Sequence, residues 1–451
     1  MFNPAAWKPS AYNLLLQGRD GQVLFNSSSG QSLWLDEDRR AVIDGCLKGL
    51  GTNAPDSPPA PLVEGLATLG FVVEAGKDEF AAERERYMGH RDDRRKLYIT
   101  IAPTLQCNMR CSYCFQQNVA KVKPMTADIQ RGVVEFIRRR SESAEALVLQ
   151  WFGGEPLLAW PLIEDMTAQV LEHCAAKGIR YHGELLTNGL LLTPGMVAAL
   201  PRLGIRAIQL PLDGSAKTYS ERRHLPLDKA ERYYRFLVEN LPQIAEHTGN
   251  VIIRINIDRE NLEEARQVVM MFKNAGVVDQ RIDFRLGFLN TSRGMVECIP
   301  HDCLTTNEFA EFENEFRRFL GEQGYRVFGM PQPVNYPCTA VLRNNFTIDP
   351  KGNIGKCVPA TGSGQCDFAR IHPEDMDRTM AEVEQARHPY NDFDPFARKG
   401  CAECPLLPSC LGSCPKDLAQ GGKYACGIKE ALDDKLAFFG SYHHRRHQEQ
   451  A

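Results

Sequence analysis

The sequence predicts an α/β protein built around a parallel sheet that curves into a partly closed (β/α) barrel of six strands. Three observations carry this expectation. From Leu97 onward, six apolar runs alternate with segments of helical periodicity, and strands that each return to the same end must lie parallel. The later runs alternate polar and apolar residues, as in Ile253-Arg254-Ile255-Asn256-Ile257-Asp258, whereas a parallel sheet packed on both faces reads as continuous apolar sequence. One face is therefore expected to meet helices and the other to line a wet lumen. Finally, 15 cysteines fall mostly into two patterned groups, and reduced clusters of that kind point to metal rather than to a disulfide framework.

The first ninety residues read as a separate unit. Short apolar runs at 12–16, 23–25 and 32–35 are divided by the turn residues Asp20-Gly21 and Ser28-Ser29-Gly30. Asp36 is placed to cap a helix reaching Leu47. A loop at 51–61, a second helix at 62–69 and a strand at 71–73 complete a β-β-β-α-α-β order. The charged stretch from Glu83 to Lys96 reads as a solvated linking helix.

The barrel strands are expected at 97–102, 147–152, 181–186, 205–212, 251–257 and 282–288, with helices near 126–139, 161–176, 196–203, 229–244 and 262–274. In the first of these helices Ile129, Val133, Phe136 and Ile137 form the i, i+4, i+7, i+8 stripe of an amphipathic face. Beyond Tyr325 the periodicity fades into Gly-, Pro- and Cys-rich sequence such as Asp349-Pro350-Lys351-Gly352-Asn353, which needs cross-linking by metal to fold. The tail His443-His444-Arg445-Arg446-His447 reads as a solvated end. Three units follow: 1–90, 91–325 and 326–451.

Composition excludes several classes. Of 451 residues 43% are hydrophobic and 24% charged, so the chain buries cores and is not disordered. Basic and acidic residues number 53 and 57, without the basic excess that phosphate binding demands, so no nucleic-acid partner is expected. No apolar run approaches the ~20 residues of a membrane span, and the prolines and polar breaks between Met1 and Asp20 do not form a signal peptide. A cytoplasmic protein without a membrane partner is expected.

The chemistry concentrates in Cys107-x3-Cys111-x2-Cys114, directly after the first barrel strand. A complete cysteine set for a [4Fe-4S] cluster is four. Three thiolates on one loop therefore hold three irons of a cubane and leave one open, while zinc would need a fourth ligand and free structural thiols remain the inert alternative. Trp151-Phe152-Gly153-Gly154-Glu155-Pro156 follows the second strand, and two glycines allow close backbone approach to a ligand.

In these motifs the sequence resembles the radical S-adenosylmethionine (SAM) enzymes. The resemblance implies a [4Fe-4S] cluster on Cys107, Cys111 and Cys114 whose open iron binds SAM. Reductive cleavage of SAM would then yield a 5′-deoxyadenosyl radical. It places Tyr113 near adenine, and Gly153, Gly154 and Glu155 at the SAM ammonium. Asn188 of Thr187-Asn188-Gly189, together with Arg254 and Asn256, falls where family members contact SAM. Asp213-Gly214 ends the fourth strand, with Arg222 and Arg223 soon after. The sequence departs from its relatives at Pro211, commonly serine, and at Tyr219, usually histidine.

Cys338-x13-Gly352-x4-Cys357, then Cys401-x2-Cys404-x5-Cys410-x3-Cys414 and Cys426, resembles the seven-cysteine signature of SPASM domains. That resemblance implies two auxiliary iron–sulfur clusters of the [4Fe-4S] kind. The distal one would sit on Cys401, Cys404, Cys410 and Cys426, the nearer one on Cys338, Cys357 and Cys414. Its fourth ligand is left open between Cys366 and a substrate, and a pair of zinc ribbons is the alternative. Residues 1–90 resemble the winged-helix-like α+β leader-peptide-recognition domain fused to peptide-modifying members, where an exposed strand edge captures an extended peptide; a plain folding cap is the alternative.

Together these features lead to an expected maturase that modifies a ribosomally made peptide or protein by a cross-link, thioether, epimerisation or similar change. Its partners would be a precursor with a leader segment and an electron donor such as flavodoxin or ferredoxin. A sulfatase-maturase-like enzyme, a small-molecule radical SAM enzyme and a zinc-binding adaptor are the other readings.

Overall fold

A computed structural model of the chain describes residues 3–17, 21–51, 58–289, 303–327, 331–412 and 414–416. The expected turn residue Asp20, most of the 51–61 loop, Cys426 and the histidine-rich tail lie outside the described residues.

The N-terminal unit contains strands β1 (Trp7–Pro9), β2 (Asn13–Gln17), β3 (Gln22–Asn26) and β4 (Ser32–Leu35), then helices α1 (Glu37–Gly49) and α2 (Ala60–Thr68) and strand β5 (Val72–Glu74). Strands β2, β3 and β4 form an antiparallel sheet in that order, while β1 pairs with β5 in a separate ribbon. The Asp36 carboxylate accepts from the Arg39 backbone N–H at 2.8 Å and caps α1 as expected. The ribbon strand β1 was not foreseen, because three residues ending in proline carry no readable alternation.

Helix α3 (Glu79–Asp92) corrects the expectation of a solvated linker. It buries Glu79, Glu83, Tyr87 and Arg91, spaced by four residues, along a single face. The charges on this face are paired rather than solvated. Glu79 accepts from the Ser10 hydroxyl (2.6 Å) and the Ala11 N–H (2.9 Å), and Glu83 from Ser28 (2.5 Å). The Tyr87 hydroxyl donates to the Phe393 carbonyl at 2.6 Å, and Arg84 pairs with Asp394 at 2.7 Å. Leu16, Val23 and Phe25 pack on Leu406 and Cys404. The N-terminal unit thus docks on the cysteine-rich C-terminal region.

Six parallel strands follow: β6 (Lys96–Ile101), β7 (Ala146–Trp151), β8 (Arg180–Leu186), β9 (Ile205–Pro211), β10 (Val251–Ile257) and β11 (Ile282–Phe288). The intervening helices include α4 (Ala127–Arg140), α5 (Trp160–Lys177), α6 (Pro194–Ala199), α7 (Ala216–Arg223), α8 (Leu227–Thr248) and α9 (Leu262–Asn274), and α10 (Thr306–Glu322) follows β11. Leu97, Ile99 and Ile101 join the core beneath the helices, whereas Tyr98 and Thr100 between them face a cavity of about 810 Å³. A lumen is therefore present on the face that alternation left uncovered, lined by apolar residues as well as by Thr100, Gln150, His182 and Glu184.

The sheet does not end with these six strands. Strand β12 (Asn345–Ile348) pairs parallel with β6, and β13 (Asn353–Gly355) and β14 (Asp367–Arg370) continue antiparallel, giving the order β11-β10-β9-β8-β7-β6-β12-β13-β14. Four buried residues with no alternation concealed β12 in the sequence. Cys303, outside both patterned groups, is disulfide-bonded. No helix among the described residues is long and apolar enough to cross a membrane.

Because Tyr87 is fully buried at the docking face, Tyr87→Ala should cost about 3–5 kcal/mol. Tyr87→Phe, which leaves only the Phe393 carbonyl without its donor, should cost about 1–3 kcal/mol. Denaturant melts of both variants measure this ordering.

Candidate active site

The cysteine loop leaves the carboxyl end of β6 and is fastened from two sides. From β7, the Gly154 N–H donates to the Thr104 carbonyl (3.1 Å) and the Glu155 N–H to the Gln106 carbonyl (2.8 Å). Gly153 has φ 129°, and a Cβ on it would collide with Thr104; one on Gly154 would lie 2.7 Å from the Gln106 carbonyl carbon. The space these two glycines leave is filled by the backbone leading into Cys107. From the other side, the Arg110 and Ser112 N–H groups donate to the carbonyls of Arg223 (3.3 Å) and Arg222 (2.9 Å) at the end of α7.

Glu155 is fully buried, and its carboxylate is met by three donors: the Leu157 N–H (2.9 Å), the Thr187 hydroxyl (2.6 Å) and the Asn188 N–H (2.8 Å). Burial pushes its pKa up to about 7, against the pull of those hydrogen bonds. Glu155 thereby fixes the turn after β8. The Asn188 amide then reaches the Asn108 side chain at 2.7 Å and the Cys107 sulfur at 3.9 Å.

The third fastening is a buried ion pair between two residues that the sequence places near the site without pairing them. Asp213, at the end of β9, is fully buried and accepts from Arg223 at 2.7 and 3.1 Å. It also accepts from the Tyr113 hydroxyl, and from the Asn256 N–H (3.2 Å) and side-chain amide (3.1 Å). Arg223 approaches the Cys111 sulfur at 3.7 Å and lies over the rings of Tyr219 (4.6 Å) and Tyr113 (5.7 Å). Asn256 in turn accepts from Arg254 at 2.9 Å, and a Cβ on Gly287 would crowd both. Tyr219 is a core residue that donates to the Asn188 carbonyl at 3.3 Å. The structure thus joins Tyr113, Asn188, Arg254 and Asn256 into one network around the three thiols, with Asp213 and Arg223 at its centre. An Asp-Gly at a strand end and an arginine pair nearby were the only signals of it.

Burial raises the Cys107 thiol and pushes Cys111 up to about 11, an effect that Arg223 partly offsets. Cys114 lies close enough to both Cys107 and Cys111 to add to these rises, and Cys107 adds to that of Cys111. Among the described residues no three His, Cys, Asp or Glu side chains gather as they would around one metal ion; a cubane asks instead that each thiolate bind a different iron.

Below the loop, one lumen-facing rung runs in register across Thr100, Gln150 and Glu184. Thr100 donates to Gln150 (3.2 Å) and Gln150 to Glu184 (2.8 Å), with His182 at 3.5 Å from the same carboxylate. His182 and then Gln150 hold Glu184 below the usual carboxylate range. Tyr336, Thr339 and Val358 close the far wall of the cavity.

There the second thiol group begins. Cys338, Cys357 and Cys366 share one buried cluster with Tyr390, and Cys414 lies close enough to Cys338 to raise its pKa. Cys401 packs on the cluster around Tyr87, and Cys404 on that around Phe25. Cys410 ends the short helix α11 (Leu407–Cys410).

Residues 101–272 match the family described as the Radical SAM superfamily. This stretch is a radical SAM domain. The chain is similar to the radical SAM cyclopropyl synthase TigE of Paramaledivibacter caminithermalis, 26% identical over 76% of this chain and 74% of that protein. It is also similar to the tungsten-containing aldehyde ferredoxin oxidoreductase cofactor-modifying protein of Pyrococcus furiosus, 25% identical over 40% of this chain, and spans 49% of that protein's length. Its fold is shared by anSMEcpe, solved with AdoMet and the Kp18Cys peptide (TM-score 0.57, 18% identity, 77% of this chain and 97% of that one). It is shared as well by Streptococcus suis SuiB bound to S-adenosylmethionine (0.51, 15%, 92% and 97%).

A radical SAM domain takes a [4Fe-4S] cluster and SAM, and the residues present fit that pair. Three thiols stand on one clamped loop with an amide and a guanidinium aimed at the sulfurs. The carboxyl-end mouth around them is lined by polar side chains.

Gly154→Ala should displace residues 105–106 and with them Cys107, lowering iron bound per chain, while Gly45→Ala, in open space on α1, should leave it unchanged; iron assays on reconstituted protein compare the two. Asp213→Ala leaves Arg223 buried without its partner and should cost about 3–5 kcal/mol in urea denaturation.

Proposed function

We propose that this radical SAM enzyme modifies a peptide or protein made on the ribosome. The observation that carries the reading is the lumen: a cavity of about 810 Å³ runs along β6, β7 and β8, carries Thr100, Gln150, His182 and Glu184, and ends on Tyr336, Thr339 and Val358, beside Cys338 and Cys357. Cys107, Cys111 and Cys114 would hold three irons of the cluster, and the network of Asn188, Asn256, Arg254 and Tyr113 would orient SAM. Once bound, that pair supplies a 5′-deoxyadenosyl radical that takes a hydrogen atom from a C–H bond. Everything else in the site is positioning. Glu184, kept ionised by His182 and Gln150, offers the lumen an acceptor for a substrate N–H or O–H. The tyrosine cluster of Tyr219, Tyr233 and Tyr234 packs dry behind Arg223 and excludes water from the ion pair.

Two features support a polypeptide substrate. The sheet β2-β3-β4 has two edge strands, and Leu15 on one of them exposes 45% of its surface. An edge of this kind binds an extended peptide by strand addition, which suits capture of a leader segment by residues 1–90. A similar fold has been solved holding a peptide. The cysteines from 338 to 426 would carry auxiliary clusters as in SPASM domains, and an external one-electron donor such as flavodoxin or ferredoxin would feed the first cluster.

Coexpression with a small peptide encoded beside the gene, followed by mass spectrometry, tests the reading: a mass change in that peptide is expected, and turnover of a small molecule with the peptide untouched would overturn it. Cys111→Ala should abolish release of 5′-deoxyadenosine, whereas Cys404→Ala should spare uncoupled release while peptide modification is lost; chromatography of the nucleoside reads both.

A further inference from the structure

The nearer auxiliary cluster has only three cysteines in the sequence pattern, Cys338, Cys357 and Cys414. A three-cysteine cluster presents an open iron to whatever enters the lumen; a four-cysteine cluster does not. The structure bears on which this is. Strands β13 and β14 pair antiparallel with a bulge at Ile354/Gly355, and Gly355 lies opposite Asp367. Cys357 and Cys366 leave and re-enter this hairpin at the same end, so eight intervening residues bring the two thiols back together. They share one buried cluster, and neither is in a disulfide.

Three further observations place Cys366 inside the group rather than beside it. It is 6% exposed, as buried as Cys357 at 8%, and both share one cluster with Cys338, Ala340, Ala360 and Tyr390. Its sulfur lies 3.5 Å from the Tyr390 hydroxyl, and Tyr390 is also near Cys357 and Cys414. A Cβ on Gly355 would stand 3.0 Å from the Cys366 carbonyl, so the backbone is held close at this point. Cys338, Cys357 and Cys366 therefore share one buried cluster, and Cys414 lies near both Cys338 and Tyr390. By contrast, Cys46 and Cys174 are buried in other clusters, away from any second thiol of this set.

We propose that Cys366 is the fourth protein ligand of the cluster held by Cys338, Cys357 and Cys414, which closes that cluster to substrate and confines it to electron transfer. Each thiol would release its proton to solvent on binding iron, and no change of oxidation state is needed. The proposal rests on the auxiliary-cluster reading above, and the experiment separates the two.

A background carrying Cys107→Ala, Cys111→Ala and Cys114→Ala removes the SAM cluster and isolates the others. In anaerobically reconstituted full-length protein of this background, about eight irons per chain are expected, with an EPR spectrum of the reduced protein that added imidazole leaves unchanged. Adding Cys366→Ala should either drop the count by about four or make the spectrum imidazole-sensitive. Cys366→Ser, which keeps an oxygen ligand and the side-chain size, should retain the iron with shifted g-values. Full iron and an imidazole-insensitive, unshifted spectrum in both Cys366 variants would overturn the ligand assignment alone. A background with no iron would overturn the auxiliary-cluster reading and this proposal with it.

Discussion

Burying two opposite charges without water is costly unless each is also saturated by hydrogen bonds, and Asp213 with Arg223 meets that condition. The carboxylate receives the guanidinium, the Tyr113 hydroxyl and both donors of Asn256. The guanidinium is covered by the Tyr219 ring. Because the Arg223 carbonyl also holds the Arg110 N–H, one ion pair joins the end of β9, the last turn of α7, strand β10 and the cysteine loop. A pair that expensive to break specifies one arrangement of the loop out of the many that the eight residues from Cys107 to Cys114 could adopt.

The remaining restraints act from other directions. Gly153 and Gly154 bring the turn after β7 into contact with the backbone ahead of Cys107, and Glu155 passes the restraint on to Asn188 after β8. Three consecutive strand ends therefore hold the loop, as expected where chemistry sits at the carboxyl ends of a parallel sheet. Lys356 plays a comparable part in the C-terminal region. It is buried with its ammonium 4.9 Å from the Phe346 ring and donating to the Leu342 (2.9 Å) and Arg343 (3.1 Å) carbonyls, and burial lowers its pKa to about 7. It anchors the segment that delivers Cys357.

Much of this was legible in the residues themselves. The six parallel strands announced themselves because each is six or seven residues long with one apolar face, and the Cys107–Cys114 spacing announced the loop. What stayed hidden was short or non-local. Strand β12 has four buried residues and no period to detect, and its pairing with β6 joins positions 247 residues apart, as Asn345 with Tyr98. The burial of α3 could have been suspected from Glu79, Glu83, Tyr87 and Arg91 at four-residue spacing, but charged residues on a helix face ordinarily mean solvent. Helix α10 had a readable start, with Thr305 and Glu308 forming a capping box. The Asp213–Arg223 pair is ten residues apart in sequence, and only the α7 turn, closed by His224 at φ 50°, makes it a contact.

The unbroken sheet from β11 to β14 has a mechanical consequence. Two hydrogen-bonded strand spacings, roughly 10 Å, separate β6, which launches the Cys107 loop, from β13, which leads to Cys357. Ladder hydrogen bonds rather than a hinge set that gap, so it acts as a ruler. Movements of the surrounding helices would leave the spacing between the Cys107 loop and the Cys357 segment untouched.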